Sequence, residues 1–361
     1  MGVIPPNLHR HNGALIRIVT KGTAVAQDHT ANAAVFHRPT IETPVVQAIV
    51  DAMERATNTE RGFRRAHARG IAMDGVFTAT RAAQELTRAK HFQGGQIPTN
   101  VRLSNAAGSP YAADVHPSGR GATLGLAVCF QLSSTATTTW AAASLPTFPA
   151  RTPEAFLALT LAQVSKPDTN MPSTIRTLKH MIRYPHSIMP LLNIARLRPP
   201  KSFAMQRFNS LNSYYAVNAA GDRQAFRYSW IPDLGVQYLT KDDIIRTGEQ
   251  YLIQEVRQRV ADGPVGWHLV FQLAEPDDNV GDATKQWSQG RRQVIVGHLT
   301  VTKPSADQDG PESSVFDPTN VIDGIELSED PILHLRAPVY SESHNRRTEE
   351  HKPDGATIGL R

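Results

Sequence analysis

Arg336, Tyr340, His344 and Arg347 follow one another at intervals of four, four and three in this chain of 361 residues. Positions three or four apart share a helix face, so a guanidinium can stand one turn from the Tyr340 hydroxyl. A free phenol ionises near pH ~10 and is a poor ligand as the neutral acid. A cation alongside favours the phenolate. An anionic oxygen of that kind is one of the few protein groups used as an axial ligand to a ferric haem. Most tyrosines beside arginines are packing or surface residues, so the pair carries chemistry only if a second feature accompanies it.

The second feature is Arg61-Gly62-Phe63-Arg64-Arg65-Ala66-His67-Ala68-Arg69-Gly70. Its basic density would suit a phosphate or RNA surface, yet it adjoins apolar, strand-forming sequence. A histidine at a peroxide site can take a proton from one oxygen and hand it to the other. A third is Val101-Arg102-Leu103-Ser104, where Arg102 and Ser104 are two apart and a strand would point them the same way. Arginine is the favoured partner for carboxylates.

The elements that must position these residues can be read from periodicity and turn chemistry. Residues 1–40 are poor in long apolar runs and read as an extended arm. Glu42 to Ala56 reads as a helix, with Pro44 in its first turn and Val45, Ile49 and Met53 spaced by four. From His67 to Cys129 short β-prone runs (Gly75–Thr78, Val101–Ser104, Leu124–Leu132) alternate with Gly, Pro and Asn turns, interrupted by a helix over Arg81–Lys90. Helical patterns follow from Pro153 and at about 173–184 and 186–196. A hairpin is expected from Tyr214–Val217 and Ala225–Trp230, then one amphipathic helix over Lys241–Ala261, then strands over Val265–Leu273 and Val294–Thr302. Residues 303–314 read as a surface loop, and Pro331–Val339 as the entry to the helix bearing Tyr340, its start obscured by Pro338. Residues 348–361 are polar and read as a flexible tail. Strands, a helical middle, then strands again describe an α+β fold: an antiparallel sheet or barrel with helices segregated from it.

Composition narrows the function classes. Net charge is +5 with pI 9.4, and the 38 basic residues are spread along the chain without forming arms. Aromatic residues make up 7% and do not interleave the Arg61–Arg69 cluster, so no nucleic-acid partner is expected. The one cysteine, Cys129, lies in an apolar run; it excludes a disulfide framework within the chain and reads as a small buried hydrophobe. No run approaches the ~18 apolar residues of a membrane span. There is no glycosylation sequon, and Pro6 spoils a myristoylation motif at Met1-Gly2. A soluble cytoplasmic protein is expected.

Four stretches, taken in order, resemble the haem catalases, and in particular the short catalase-related peroxidases. They are Arg64–Gly70; Val101–Ser104; Pro146-Thr147-Phe148-Pro149-Ala150-Arg151 with Phe156; and Phe316–Pro331 running on to Arg336 and Tyr340. The resemblance implies a catalase-like antiparallel β-barrel with helices packed around it, over residues 41–347. It implies haem b, with Tyr340 as the proximal iron ligand, Arg336 holding it as phenolate and His67 as the distal acid–base. Ser104 would hydrogen-bond His67. Arg64, Arg102 and Arg347 would pair with the haem propionates, helped by His344. Phe148 and Phe156 would line the distal pocket, Phe316 the proximal side, and Ala66 would sit near the haem face. In a regular strand Arg65 and Arg69, not Arg64, would share a face with His67; Arg64 ranks first by resemblance and Arg65 stands in reserve.

Large catalases place an asparagine at the position of Ala143, three residues before Pro146. The short relatives lack it too, and a missing donor to bound peroxide can cost several kcal/mol of transition-state stabilisation. The chain ends soon after Tyr340, so no C-terminal flavodoxin-like domain is expected, nor is NADPH. The implied activity is reduction of hydrogen peroxide or an organic hydroperoxide by a small organic donor, with weak catalase activity. The alternatives are a fatty-acid hydroperoxide isomerase, peroxygenase or decarboxylase acting on a lipid-like substrate, and a true catalase. Coral-type isomerases carry a threonine just before the distal histidine, where this chain has Ala66. The resemblance also implies a homo-oligomer, dimer or tetramer.

Overall fold

A computed structural model describes residues 41–350 apart from residues 58, 117, 166–172, 309 and 311–313. The expected N-terminal arm lies outside the described residues, as does the tail from residue 351.

Alternation in the strands builds a closed barrel. In β3 (Leu124–Gln131) the side chains of Leu124, Leu126, Val128 and Phe130 are buried on one face, while Gly125, Ala127 and Cys129 occupy the other. Its neighbours are β2 (Gln96–Asn105) and β4 (Thr137–Ala143). The sheet continues from β2 to β1 (Gly70–Ala79), β9 (Gln293–Pro304), β8 (Val265–Leu273) and β7 (Arg223–Pro232). Short β5 (Phe208–Asn209) joins β7 to β4 and closes eight antiparallel strands into a ring. Further along the same edge of β7 lies β6 (Tyr214–Val217), which pairs in turn with β10 (Ile325–Leu327). Closure leaves the ring without free edges. Aromatic rings fill the interior: Phe77 meets Phe130 nearly edge-on at 5.1 Å and Phe226 stacks on Phe271 at 4.0 Å. Each such fully buried ring contributes about 1.5–3 kcal/mol.

A helical layer covers one outer face. Its members are α1 (Thr43–Thr57), α3 (Pro153–Gln163) and α8 (Pro331–Glu349), with a core of Val46, Ile49, Val50, Ala155, Ile332, Leu335 and Val339. The other helices are α2 (Arg81–Leu86), α4 (Thr174–Arg183), α5 (Ile188–Ala195), α6 (Lys241–Thr247) and α7 (Leu252–Asp262). Among the described residues no helix is long and apolar enough to cross a membrane.

Several expectations need correction. The helix expected over Arg81–Lys90 stops at Leu86, and Lys90–Phe92 forms only a 3-10 turn. The single helix expected over Lys241–Ala261 is two, because Gly248 ends the first at φ 79°, a conformation that glycine adopts without penalty. Strand β4 was not foreseen: Thr137–Ala143 is mostly small residues and offers no apolar alternation to read. The flexible tail expected from residue 348 overlaps α8, which runs to Glu349. Asp330 caps α8 by accepting from the Ile332 N–H at 2.9 Å, Pro331 opens it, and Pro338 is accommodated in its interior at the loss of one backbone bond.

Candidate active site

A cavity of about 230 Å³ lies between the outer face of β2–β4 and the helical layer. Its floor follows from side-chain size. Gly125 stands opposite Ala143 and Ala127 opposite Ala141, so two neighbouring cross-strand pairs carry at most a methyl group. Phe148 and Phe156, with ring centroids 5.1 Å apart, and Leu211, Leu335 and Val339 supply apolar walls.

One cluster enters from the barrel. The segment before β1 is irregular, so the expected strand geometry around His67 does not apply. His67 is the one non-glycine residue with positive φ (60°) among the described residues. Such backbone costs of order 1–3 kcal/mol and persists only where its surroundings hold it. Here the His67 N–H donates to the Ala106 carbonyl at 3.2 Å, and the imidazole Nδ1 lies 2.9 Å from Ser104 Oγ. Gly125 is what admits the ring: a Cβ there would lie 2.6 Å from His67 Cε1. Burial, then the charges of Arg102, Arg336 and Arg64, push His67 down from 6.5 to about 3, so the imidazole is neutral at physiological pH. His67 is half-buried, its exposed part facing the cavity.

The other cluster enters from α8. Arg336 Nη2 and Nε donate to the Tyr340 oxygen at 2.7 and 3.2 Å. The third nitrogen, Nη1, donates to Asn212 Oδ1 at 3.0 Å, and Asn212 Nδ2 donates to Asp330 Oδ2 at 2.8 Å. Burial works against the Arg336 charge, but the oxygens of Tyr340, Tyr214 and Tyr228 prevail and hold it above the ordinary arginine range. Burial lifts Asp330 to about 6, although the bonds from Asn212 and the Ile332 N–H pull the other way.

Three guanidiniums complete the wall. Arg102 is buried and lies over Gly70, where a Cβ would fall 2.7 Å from its Cζ. Arg64 and Arg347 both donate to the Ser314 carbonyl, at 2.8 and 3.1 Å. Ala66 and Phe316 line the cavity as well. His344 is not in the wall; its Nδ1 sits 3.0 Å from Arg347 Nη2. Arg65, held in reserve, is turned away: it is buried against Glu54 and Glu350, each at 2.7 Å. Reading the sequence missed Asn212, Asp330 and the Gly125–Ala127–Ala141 floor. The small–large alternation of Gly125-Leu126-Ala127-Val128 could have announced the floor; nothing local marks Asn212, 124 residues from Arg336.

The wall thus gathers one phenol oxygen beneath a guanidinium, a neutral imidazole, an apolar flat floor and three more arginines. That set fits a planar apolar group carrying two carboxylates and one metal with an axial site for oxygen. The one cysteine, Cys129, does not line the cavity, so no thioether attachment is available there.

Comparison with known proteins covers most of the chain. The sequence model of the catalase family matches residues 20–352. A catalase-related peroxidase of Mycolicibacterium paratuberculosis is 34% identical over 302 residues, spanning 83% of this chain and 93% of that protein. One from Synechococcus elongatus is 31% identical over 301 residues, spanning 83% and 88%. Among solved structures, a bacterial catalase superposes with TM-score 0.71 at 20% identity, over 89% of this chain and 64% of that one. Catalase A from Saccharomyces cerevisiae gives 0.70 at 20%, over 90% and 68%.

Proposed function

This chain belongs to the catalase family, and from that premise we propose that it is a haem b peroxidase, reducing hydrogen peroxide or an organic hydroperoxide at the expense of a small organic donor. The balance is ROOH plus a two-electron donor AH₂ giving ROH, water and A. Bound haem supplies the redox-active iron at which the O–O bond breaks and oxidising equivalents are held. The Tyr340 oxygen would be the donor that holds the iron, and the two hydrogen bonds from Arg336 fix the position of that oxygen. Arg64, Arg102 and Arg347 would pair with the propionates, with His344 bearing on Arg347. Ala66 and the small floor let the ring approach closely, Phe148 and Phe156 line the peroxide side, and Phe316 the proximal side.

His67 moves the proton. Ser104 engages Nδ1, which leaves Nε2 to accept a proton from the inner peroxide oxygen and return it to the outer one, which departs as ROH (water when the substrate is hydrogen peroxide); the inner oxygen leaves as water once the donor AH₂ has supplied its two electrons and two protons. Its depressed proton affinity keeps the imidazole neutral at rest and quick to give the proton back. The side chains of Arg102 and Arg336, which help depress it, tie proton transfer to the cation set around the cofactor.

The observation that carries the preference for peroxidase over catalase is Ala143. It lines the cavity directly across the strand pair from Gly125, against which His67 rests, and among the described residues no Asn or Gln lines the wall. A peroxide molecule beside His67 therefore finds no side-chain amide donor, and the room left suits a bulkier hydroperoxide. The test is oxygen evolution and donor oxidation measured side by side for the wild type and Ala143→Asn. The wild type oxidises organic donors and evolves little oxygen, and the asparagine raises oxygen evolution about tenfold or more. A wild type that evolves oxygen at full catalase rates with no gain from donors overturns the reading.

The apolar wall of Leu211, Leu335 and the two phenylalanines also favours lipid-like hydroperoxides as substrates. Mass spectrometry separates the alcohol left by peroxidase turnover from an isomerised product. An assembly into dimers or tetramers belongs to the same proposal.

A further inference from the structure

Outside the cavity, on the outer surface of the barrel, Asp233, His268 and His298 converge, and their ligand atoms all lie within 4.8 Å of one another. Strand register brings them together. His268 on β8 stands directly opposite His298 on β9, and Gly266, two residues earlier on the same face, stands opposite Thr300. Asp233 follows β7 and bonds through its N–H to the Gly266 carbonyl at 3.0 Å. Gly266 makes the cluster sterically feasible: a Cβ there would lie 2.4 Å from Asp233 Oδ2 and 2.6 Å from His298 Cε1. None of these residues lines the cavity.

We propose that Asp233, His268 and His298 form a second metal site, suited to a divalent first-row transition ion such as zinc, with its fourth position open to solvent. Two imidazoles and one carboxylate are the donors such ions prefer. The spacing agrees. Ligand bonds of about 2.0–2.2 Å at a tetrahedral ion place donor atoms about 3.3–3.5 Å apart. His268 Nε2 lies 3.6 Å from Asp233 Oδ1, and His298 Nε2 lies 2.8 Å from Asp233 Oδ2, so one small rotation opens the pair to the required distance. A supporting contact is also present. Thr300 Oγ1 lies 3.2 Å from His298 Nδ1, so that when Nδ1–H donates to this oxygen the Nε2 lone pair faces the carboxylate. Without an ion the 2.8 Å contact between His298 Nε2 and Asp233 Oδ2 is a hydrogen bond, and the ion would take the place of its proton as the pair opens.

Such an ion would tie the β7 end to β8 and β9 without touching the proposed haem pocket. The test uses the purified full chain with its cofactor in place, stripped with a chelator, dialysed against micromolar free Zn²⁺ and assayed for zinc by mass spectrometry. Wild type is compared with Asp233→Asn, His268→Gln and His298→Ala. The half-exposed His268 makes its variant safe for the fold, and circular dichroism checks all three. The site predicts that wild type retains one zinc per chain more than each variant does, with iron content unchanged. Equal zinc in wild type and folded variants, or none in either, overturns it.

Discussion

Gly125→Ala probes the geometry of the proton-transfer site with the smallest available change. The added methyl would lie 2.6 Å from His67 Cε1, 2.8 Å from Nδ1 and 3.0 Å from Ser104 Oγ. Ordinary contact begins at 3.4 Å, so the imidazole must retreat by 3.4 − 2.6, about 0.8 Å, and its bond to Ser104 must bend or break. The ring has little freedom to comply, because the His67 backbone is pinned at φ 60° by its bond to Ala106. A displacement of ~1 Å in a reacting group costs up to ~100-fold in rate. The variant should therefore react with peroxide about 10- to 100-fold more slowly, at about 1–3 kcal/mol lower stability. Stopped-flow mixing with peroxide, followed at the Soret band, reads the rate; haem content and the resting spectrum show that the proximal side is intact. Gly290→Ala is the control, since its nearest contact would be Ser288 Oγ at 3.7 Å. A Gly125→Ala enzyme as fast as wild type, with normal haem content, would refute the placement of His67.

Two other outcomes concern stability. Both ring nitrogens of His91 are buried among Phe92, Phe130 and Trp140 without a hydrogen-bond partner, and burial drops its pKa from 6.5 to about 3. The unfolded chain takes up this proton below pH 6.5 and the folded chain does not until about 3, so stability is full above pH 6.5 and falls as pH drops toward 3. His91→Leu should remove that loss, and its advantage over wild type in urea unfolding should grow by about 2 kcal/mol between pH 7 and pH 5; an advantage independent of pH would contradict the assignment. Asp114 is buried 2.7 Å from Arg69 and also accepts from the Leu252 N–H at 3.1 Å, so Asp114→Ala should cost about 3–5 kcal/mol, with an unchanged denaturation midpoint counting against it.

The site's two poles were legible because each rests on a local repeat. Arg336 and Tyr340 needed only the four-residue spacing of a helix, and Arg102 and Ser104 only the two-residue spacing of a strand; all four line one cavity. The barrel strands with alternating large residues were legible for the same reason. What escaped was set by tertiary contact or by glycine. A regular strand would turn Arg65 and Arg69 to the face of His67, but the bonds that His67 makes to Ala106 and Ser104 accompany a backbone φ of 60°, outside strand geometry. Arg65, in reserve behind Arg64, is claimed by Glu54 eleven residues before it and by Glu350 at the far end of the described chain. Asn212 and Asp330, which steady the far side of Arg336, have no signature short of the folded structure.

The account turns on the Tyr340 oxygen as the iron's axial donor. The most direct measurement is the visible and paramagnetic-resonance spectrum of the purified chain, reconstituted with haemin, beside that of Tyr340→Phe. The account predicts a Soret band and a ferric signal in the wild type, and in the folded variant either loss of haem or a changed axial-ligand signature. A wild type that stays colourless with haemin, or a variant whose spectrum matches it, contradicts the account.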